Sequence, residues 1–246
     1  MSGSAPYPFS VMGKSFLITG ASSGLGRHLA ETLARRGARL VITGRDESRL
    51  QASYDALRGE EHVQVLADLT LAADRDRLVQ AAGNLDGMVH CTGLQRHCPV
   101  RQLSEAVMTQ MYEVNFLAPV MLTQRLLQAN AIRQRGSIIF MLSTAAHIGT
   151  RGLGPYSAMK SALMGIIKCL ALEQAKRGIR VNGISPSAIA TPMWEAHQDL
   201  LEQQRARHPL GLGRPDDVAN GAVYLLSDAS RWLTGTSLVM DGGAVI

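Results

Sequence analysis

Short apolar runs alternate with longer stretches in which apolar residues recur three and four apart, and the alternation persists through the chain. This is the pattern of repeated βαβ units around a parallel sheet. The runs predict strands near 15–19, 39–43, 63–67, 86–90, 137–142, 180–184 and 237–240. The periodic stretches predict helices near 24–36, 47–57, 72–82, 104–129, 154–177 and 215–227, with Asp46 and Ser104 standing where caps belong. Strand runs such as "SIIFML" are apolar at successive positions, so helices are expected on both faces of the sheet. No repeat or low-complexity linker interrupts the pattern. One domain is expected over residues 1–246, with 1–12 as an N-terminal extension. The stretch 191–213, "TPMWEAHQDLLEQQRARHPLGLG", leaves the alternation and is expected to form a substrate lid.

Composition narrows the function classes. At 246 residues and 46% hydrophobic content, the chain can bury a large core. Its formal net charge of +5 is dispersed without runs, and only 4% of residues are aromatic, so a nucleic-acid surface is not expected. Cys91, Cys98 and Cys169 have neither zinc-ligand nor disulfide-framework spacing, and no metal site is expected. No signal segment or membrane-length apolar run is present, and a cytoplasmic protein is the expectation.

The first strand run, "SFLIT", passes directly into "GASSGLG" and then into a helical stretch. Glycines there let the backbone approach a pyrophosphate, which the free N–H groups of a helix N-terminus stabilise. The spacing at Thr19, Gly20, Gly24 and Gly26 is T-G-x-x-x-G-x-G. "GKS" at 13–15 is no P-loop, because residue 8 is Pro and the strand follows the motif instead of preceding it. In NAD sites an acid at the end of the second strand accepts bonds from the ribose 2′-OH. Here "RLVITGRDES" has Gly44 at that place and Arg45 after it, which favours the 2′-phosphate of NADP(H) over NAD(H).

Tyr156 and Lys160 lie four apart in "PYSAMKSALMG", on one helix face. Reducing a ketone requires a proton for the developing alkoxide, and a tyrosine is a poor acid/base group near neutrality. A lysine cation beside it is expected to favour the phenolate and lower its pKa from about 10. A packed ring beneath a lysine stem is the plain alternative.

Together these motifs resemble the classical short-chain dehydrogenase/reductase family, over nearly everything from residue 13 to 243, and its 3-oxoacyl-acyl-carrier-protein reductases in particular. The resemblance implies a Rossmann-type α/β fold with a doubly wound parallel sheet of about seven strands. It assigns Gly20, Ser22, Ser23, Leu25 and Gly26 to the cofactor phosphates, and Asp68 and Leu69 in "LADLT" to the adenine. The family's Asn-Asn-Ala-Gly has become "HCTG" at 90–93, where Gly93 fits but His90 and Cys91 depart, leaving the usual bracing of the sheet in question. The resemblance makes Tyr156 the general acid/base and Lys160 its partner and a ribose ligand. It makes Ser143 the group that orients the substrate oxygen, and Asn115 in "YEVNFLAP" a member of a proton relay. In "RVNGISPSAIATPM", Ile189 and Thr191 would hold the carboxamide, with Ser187 where the family usually has Gly.

The implied activity is ketone and secondary-alcohol interconversion, with a small-molecule carbonyl or alcohol as substrate. 3-Oxoacyl thioesters are one option, and an acidic acyl-carrier protein could meet Arg133, Arg135, Lys176 and Arg177. A homotetramer or dimer built on the helices near 104–129 and 154–177 is expected. Ser157 and Lys160 also spell S-x-x-K, but no Lys precedes a T-G pair as that acyl-hydrolase motif set demands. A catalytically silent NADP-binding scaffold on the same fold remains the alternative.

Overall fold

The computed structural model describes residues 7–190 and 198–245. Seven parallel strands form one sheet in the order β3-β2-β1-β4-β5-β6-β7. They are β1 Ser15–Thr19, β2 Arg39–Gly44, β3 Val63–Leu66, β4 Leu85–His90, β5 Ile132–Met141, β6 Arg180–Pro186 and β7 Ser237–Met240. Helices α1 Gly24–Arg35, α2 Glu47–Asp55, α3 Ala72–Ala82, α4 Glu105–Tyr112, α5 Ala118–Gln128 and α6 Gly154–Gln174 connect them. Helices α7 Gln198–Arg207 and α8 Pro215–Leu226 lie between β6 and β7. The strand order reverses between β1 and β4, so the expected doubly wound Rossmann-type sheet is present, with its ligand crevice at that switch point.

Successive strand residues enter opposite cores, as the period of two requires. Phe16 and Ile18 of β1 and Ile139 of β5 join Leu29, Leu33, Val218 and Ala222 of α1 and α8. Leu17, Ile138 and Phe140 join Leu78, Leu122, Leu163 and Ile167 of α3, α5 and α6 on the other face. Burial on both faces explains why the strand runs are apolar throughout. Pro8 and Phe9 pack on α8 and the turn after it: the Phe9 ring lies 6.1 Å from Tyr224, and the Ala229 N–H donates to the Pro8 carbonyl at 2.8 Å.

Three elements differ from expectation. The helix predicted over 104–129 is broken by a π-helical turn, Glu113–Leu117, between α4 and α5. Pro119 has no N–H to offer the Asn115 carbonyl four residues earlier, and its ring crowds that position, so the α-helical register cannot run through. Strand β5 begins at Ile132, earlier than predicted, because polar Arg133, Gln134 and Arg135 hide its first half. Finally, α7 occupies part of the stretch read as a lid.

Candidate active site

The β1–α1 turn is shaped by close backbone approach. Gly20 has φ +65, and a Cβ there would lie 2.8 Å from Thr92 N, while one on Gly26 would strike the Gly20 carbonyl. Helix α1 therefore starts against the ends of β1 and β4, with Ser23 extended as its cap and no side chain bonding its first N–H groups. Such a terminus stabilises anions.

At the end of β2, a Cβ on Gly44 would sit 2.9 Å from Ser22 Oγ. Packing thus excludes a carboxylate side chain at the position where an NAD site would carry one. Asp46 caps α2 by accepting from Arg49 N at 2.9 Å and pairs with Arg49 Nε at 2.8 Å. The Arg49 and Ser48 donors hold its carboxyl below the usual range, the Arg49 backbone N–H contributing most. Asp46 thus serves Arg49, and Arg45 forms no ion pair among the described residues. Across the crevice, Asp68 Oδ1 accepts from Thr70 N and Oγ1 at 2.9 and 2.7 Å, closing a turn before α3. Leu69 is buried beside it.

His90 answers the bracing question. Thr123 Oγ1 donates to the Pro119 carbonyl at 2.9 Å and so accepts from His90 Nε2 at 2.8 Å. The His90 ring also stacks on Phe140 with centroids 4.7 Å apart. The histidine therefore ties β4 to α5, and burial holds it neutral with a pKa of about 3. Burial likewise pushes the Cys91 thiol up to about 12, so it is no nucleophile.

The residues expected to react gather at the C-terminal edge of the sheet. Ser143 follows β5, accepts from Ala145 N at 3.2 Å and lines the same cavity as Tyr156. Pro155 in the first turn starts α6, which presents Tyr156 and Lys160 one turn apart. Lys160 is buried, donates to the Met141 carbonyl at 2.7 Å, and its Nζ lies 5.7 Å from the Tyr156 ring centroid. Burial lowers its pKa to about 8.

The expected lowering of the Tyr156 pKa is not what the protein environment alone produces. Burial of the phenol disfavours its charged form and raises the value, and the neighbouring Ser143 hydroxyl works against that rise. Lys160 directs its hydrogen bond to the Met141 carbonyl. Asn115, inside the π-helical turn, is fully buried: its Nδ2 donates to Leu94 O at 2.9 Å and its Oδ1 accepts from Leu94 N at 3.0 Å. It fastens the loop after β4. A Cβ on Gly93 would lie 3.3 Å from Asn115 Oδ1 and 3.5 Å from Lys160 Nζ, so glycine keeps that junction open.

One cavity of about 830 Å³ joins these features. Gly20, Ser22, Ser23, Leu25, Gly26, Arg45, Asp68 and Leu69 line one end, and Gly93, Ser143, Tyr156, Lys160 and Ile189 the other. Asn115 stands behind the wall. Thr191 lies outside the described residues, as do Trp194 and His197. Arg49, Gln95 and Ser187 also line the cavity. Of these, the sequence marks Ser187, which stands where the family usually has Gly, whereas it does not single out Arg49, one turn beyond Arg45. The glycine cradle and the helix terminus fit a dinucleotide, and the volume is that of a cofactor site. Among the described residues, no cluster of His, Cys, Asp or Glu is placed to hold a metal, and no helix is long and apolar enough to cross a membrane.

Two loops beside the site pack on each other. Cys98 N donates to Gly152 O at 2.7 Å, the His97 ring lies against Gly152, and a Cβ on Gly154 would meet Val100 Cγ2 at 3.3 Å. The loop after β4 is thus docked on the segment leading to Tyr156. By contrast, Arg133, Arg135, Lys176 and Arg177 lie at the opposite edge of the sheet, at the start of β5 and the end of α6. Arg133 is paired with Asp86 at 2.8 Å, and Arg177 donates to the Ile132 carbonyl at 2.6 Å.

A family model described as enoyl-(acyl carrier protein) reductase matches residues 20–245. The chain is 34% identical to the (2S)-[(R)-hydroxy(phenyl)methyl]succinyl-CoA dehydrogenase subunit BbsD of Thauera aromatica, over 92% of this chain and 94% of that one. It is 33% identical to the 3-oxoacyl-[acyl-carrier-protein] reductase FabG of Escherichia coli (strain K12), over 94% and 97%. The crystal structure of a dehydrogenase/reductase from Sinorhizobium meliloti 1021 superposes with a TM-score of 0.88 at 31% identity, covering 97% of this chain and 98% of that one. The chain belongs to the short-chain dehydrogenase/reductase family and is an oxidoreductase of the CH–OH/C=O class that uses a nicotinamide cofactor.

Proposed function

We propose that this short-chain dehydrogenase/reductase interconverts a ketone and a secondary alcohol with NADP(H), using Tyr156 as general acid/base. The observation that carries the reading is that Ser143, Tyr156 and buried Lys160 line one cavity together with the glycine turn. The bound nicotinamide supplies or accepts the hydride. Ser143 orients the substrate oxygen, and Tyr156 delivers its hydroxyl proton to that oxygen as the alkoxide forms. A raised Tyr156 pKa suits the reductive direction, since the phenol stays protonated near neutrality. Lys160 stabilises the phenolate left behind and binds ribose, and the Asn115 carbonyl, denied an α-helical donor by Pro119, accepts a water of the proton relay. Ile189 and Thr191 hold the carboxamide.

Preference for NADP(H) rests on Arg45 and on the exclusion of a side chain at Gly44. For the substrate, a 3-oxoacyl thioester of an anionic carrier fits best. No Asp or Glu occurs between residues 87 and 104 or between 142 and 172. The two docked loops expose Arg96, Arg101 and Arg151, none of them in an ion pair among the described residues. Both the Thauera and the Escherichia relatives are named for thioester chemistry. A second copy is the expected partner of the outer face of α6, where Leu172 is 81% exposed on the same helix face as exposed Ala162 and Cys169. Following NADPH oxidation with acetoacetyl-CoA tests the reading: wild type turns over and Tyr156→Phe does not, though it still binds NADPH. Binding without turnover of any ketone by wild type would favour the silent scaffold.

A further inference from the structure

We propose that His208 is a positioning residue, which grips Ser187 and thereby fixes the cavity wall 186–189 to the end of helix α7. His208 is 4% exposed. Its Nδ1 lies 2.5 Å from the Gln204 carbonyl and its Nε2 2.8 Å from Ser187 Oγ. A carbonyl only accepts, so Nδ1 carries a proton, and in the neutral ring Nε2 then accepts from the Ser187 hydroxyl. The last turn of α7 thus orients the ring, and the ring orients Ser187.

The grip belongs to a three-way junction. Ser187 N donates to Met240 O at 3.0 Å, which joins the wall to β7. Leu210 N donates to Gly242 O at 3.0 Å, and a Cβ on Gly242 would lie 3.0 Å from the Gly211 carbonyl, so the chain after His208 packs on the C-terminal turn. Gly213 N donates to Ala188 O at 3.1 Å, and Ala190 N returns a bond to Gly213 O at 2.7 Å. Ser187, Ala188 and Ile189 face the cavity that holds Tyr156 and Lys160. A glycine at 187 would be anchored by backbone alone. The serine adds a side-chain tie, which ties this departure from the family pattern to His208.

The inference rests on the proposed use of this wall at the nicotinamide end. If the wall sets the approach of hydride donor to carbonyl, loosening it lowers the rate without touching the adenosine end. Ser187→Ala, His208→Leu and their double variant separate the possibilities, with His208→Gln as the conservative variant whose amide oxygen reaches the place of Nε2. Each single change is expected to lower kcat for NADPH oxidation with acetoacetyl-CoA by about tenfold. Affinity for 2′,5′-ADP, which reports on the Arg45 end, stays unchanged, and hydrogen exchange at the Ser187 and Ala190 amides quickens. The double variant is no slower than the slower single one, because both remove one interaction, and His208→Gln recovers most of the rate. Unchanged rate and exchange in the single variants, or effects that multiply in the double, would overturn the proposal. Wild type that turns over no ketone counts against the proposed function alone, and the exchange comparison then decides the grip by itself.

Discussion

The two ends of the cavity are built on different principles. At the proposed adenosine end, the cavity is formed by backbone brought close by glycines at 20 and 26, by a helix terminus, and by exposed Arg45. At the proposed reacting end, buried side chains grip the surrounding chain: Lys160 on the Met141 carbonyl, Asn115 on the Leu94 backbone, and His208 on the Ser187 hydroxyl. Exposed charges and backbone donors adjust affinity in modest increments, whereas buried polar groups carry large penalties when their partners are lost. The first end should therefore control which cofactor binds, and the second whether chemistry follows.

The largest expected effect breaks the second end alone. Tyr156→Phe should lower turnover by about two to four orders of magnitude with NADPH affinity nearly unchanged, read by steady-state kinetics and fluorescence titration. Next comes Lys160→Met. The Lys160 pKa falls from 10.5 in the unfolded chain to about 8 when folded. Below pH 8 both states are charged and the burial penalty is fully present; between 8 and 10.5 the folded state releases its proton first, so stability rises with pH. The variant should be more stable than wild type at pH 7 by on the order of 3 kcal/mol, and the gap should close above pH 10.5 in urea titrations. Activity of wild type should decline as pH rises past about 8, where the cation beside Tyr156 is lost.

Smaller effects belong to the first end. Gly26→Ala forces a methyl onto the Gly20 carbonyl and should cost about 1–3 kcal/mol, seen as a lower unfolding midpoint together with weaker NADPH binding. Arg45→Ala should weaken NADPH about tenfold and leave NADH unchanged, since an exposed charge-assisted bond contributes little more. Equal losses for both cofactors would mean that Arg45 does not read the 2′-phosphate.

The same division governed what could be read from the sequence. Strand positions, the glycine turn and the Tyr156–Lys160 pair were legible because each is local: a run of apolar residues, a fixed spacing, one helix face. The break at 113–117 was harder, since Pro119 sat inside an otherwise good helical pattern. Pairings distant in sequence left no local signal. Nothing in "HCTG" points to Thr123, and nothing near Ser187 points to His208. The direction of the Tyr156 shift was missed because burial, which decides it, is a tertiary property.

The most direct test measures NADPH affinity and the single-turnover rate of hydride transfer to acetoacetyl-CoA at saturating cofactor, in wild type, Arg45→Ala, Tyr156→Phe and the double variant. The account predicts that Arg45→Ala changes affinity alone, that Tyr156→Phe changes rate alone, and that the double variant shows both losses unaltered. A Tyr156→Phe protein that loses NADPH, or an Arg45→Ala protein that is slow when saturated, would contradict it.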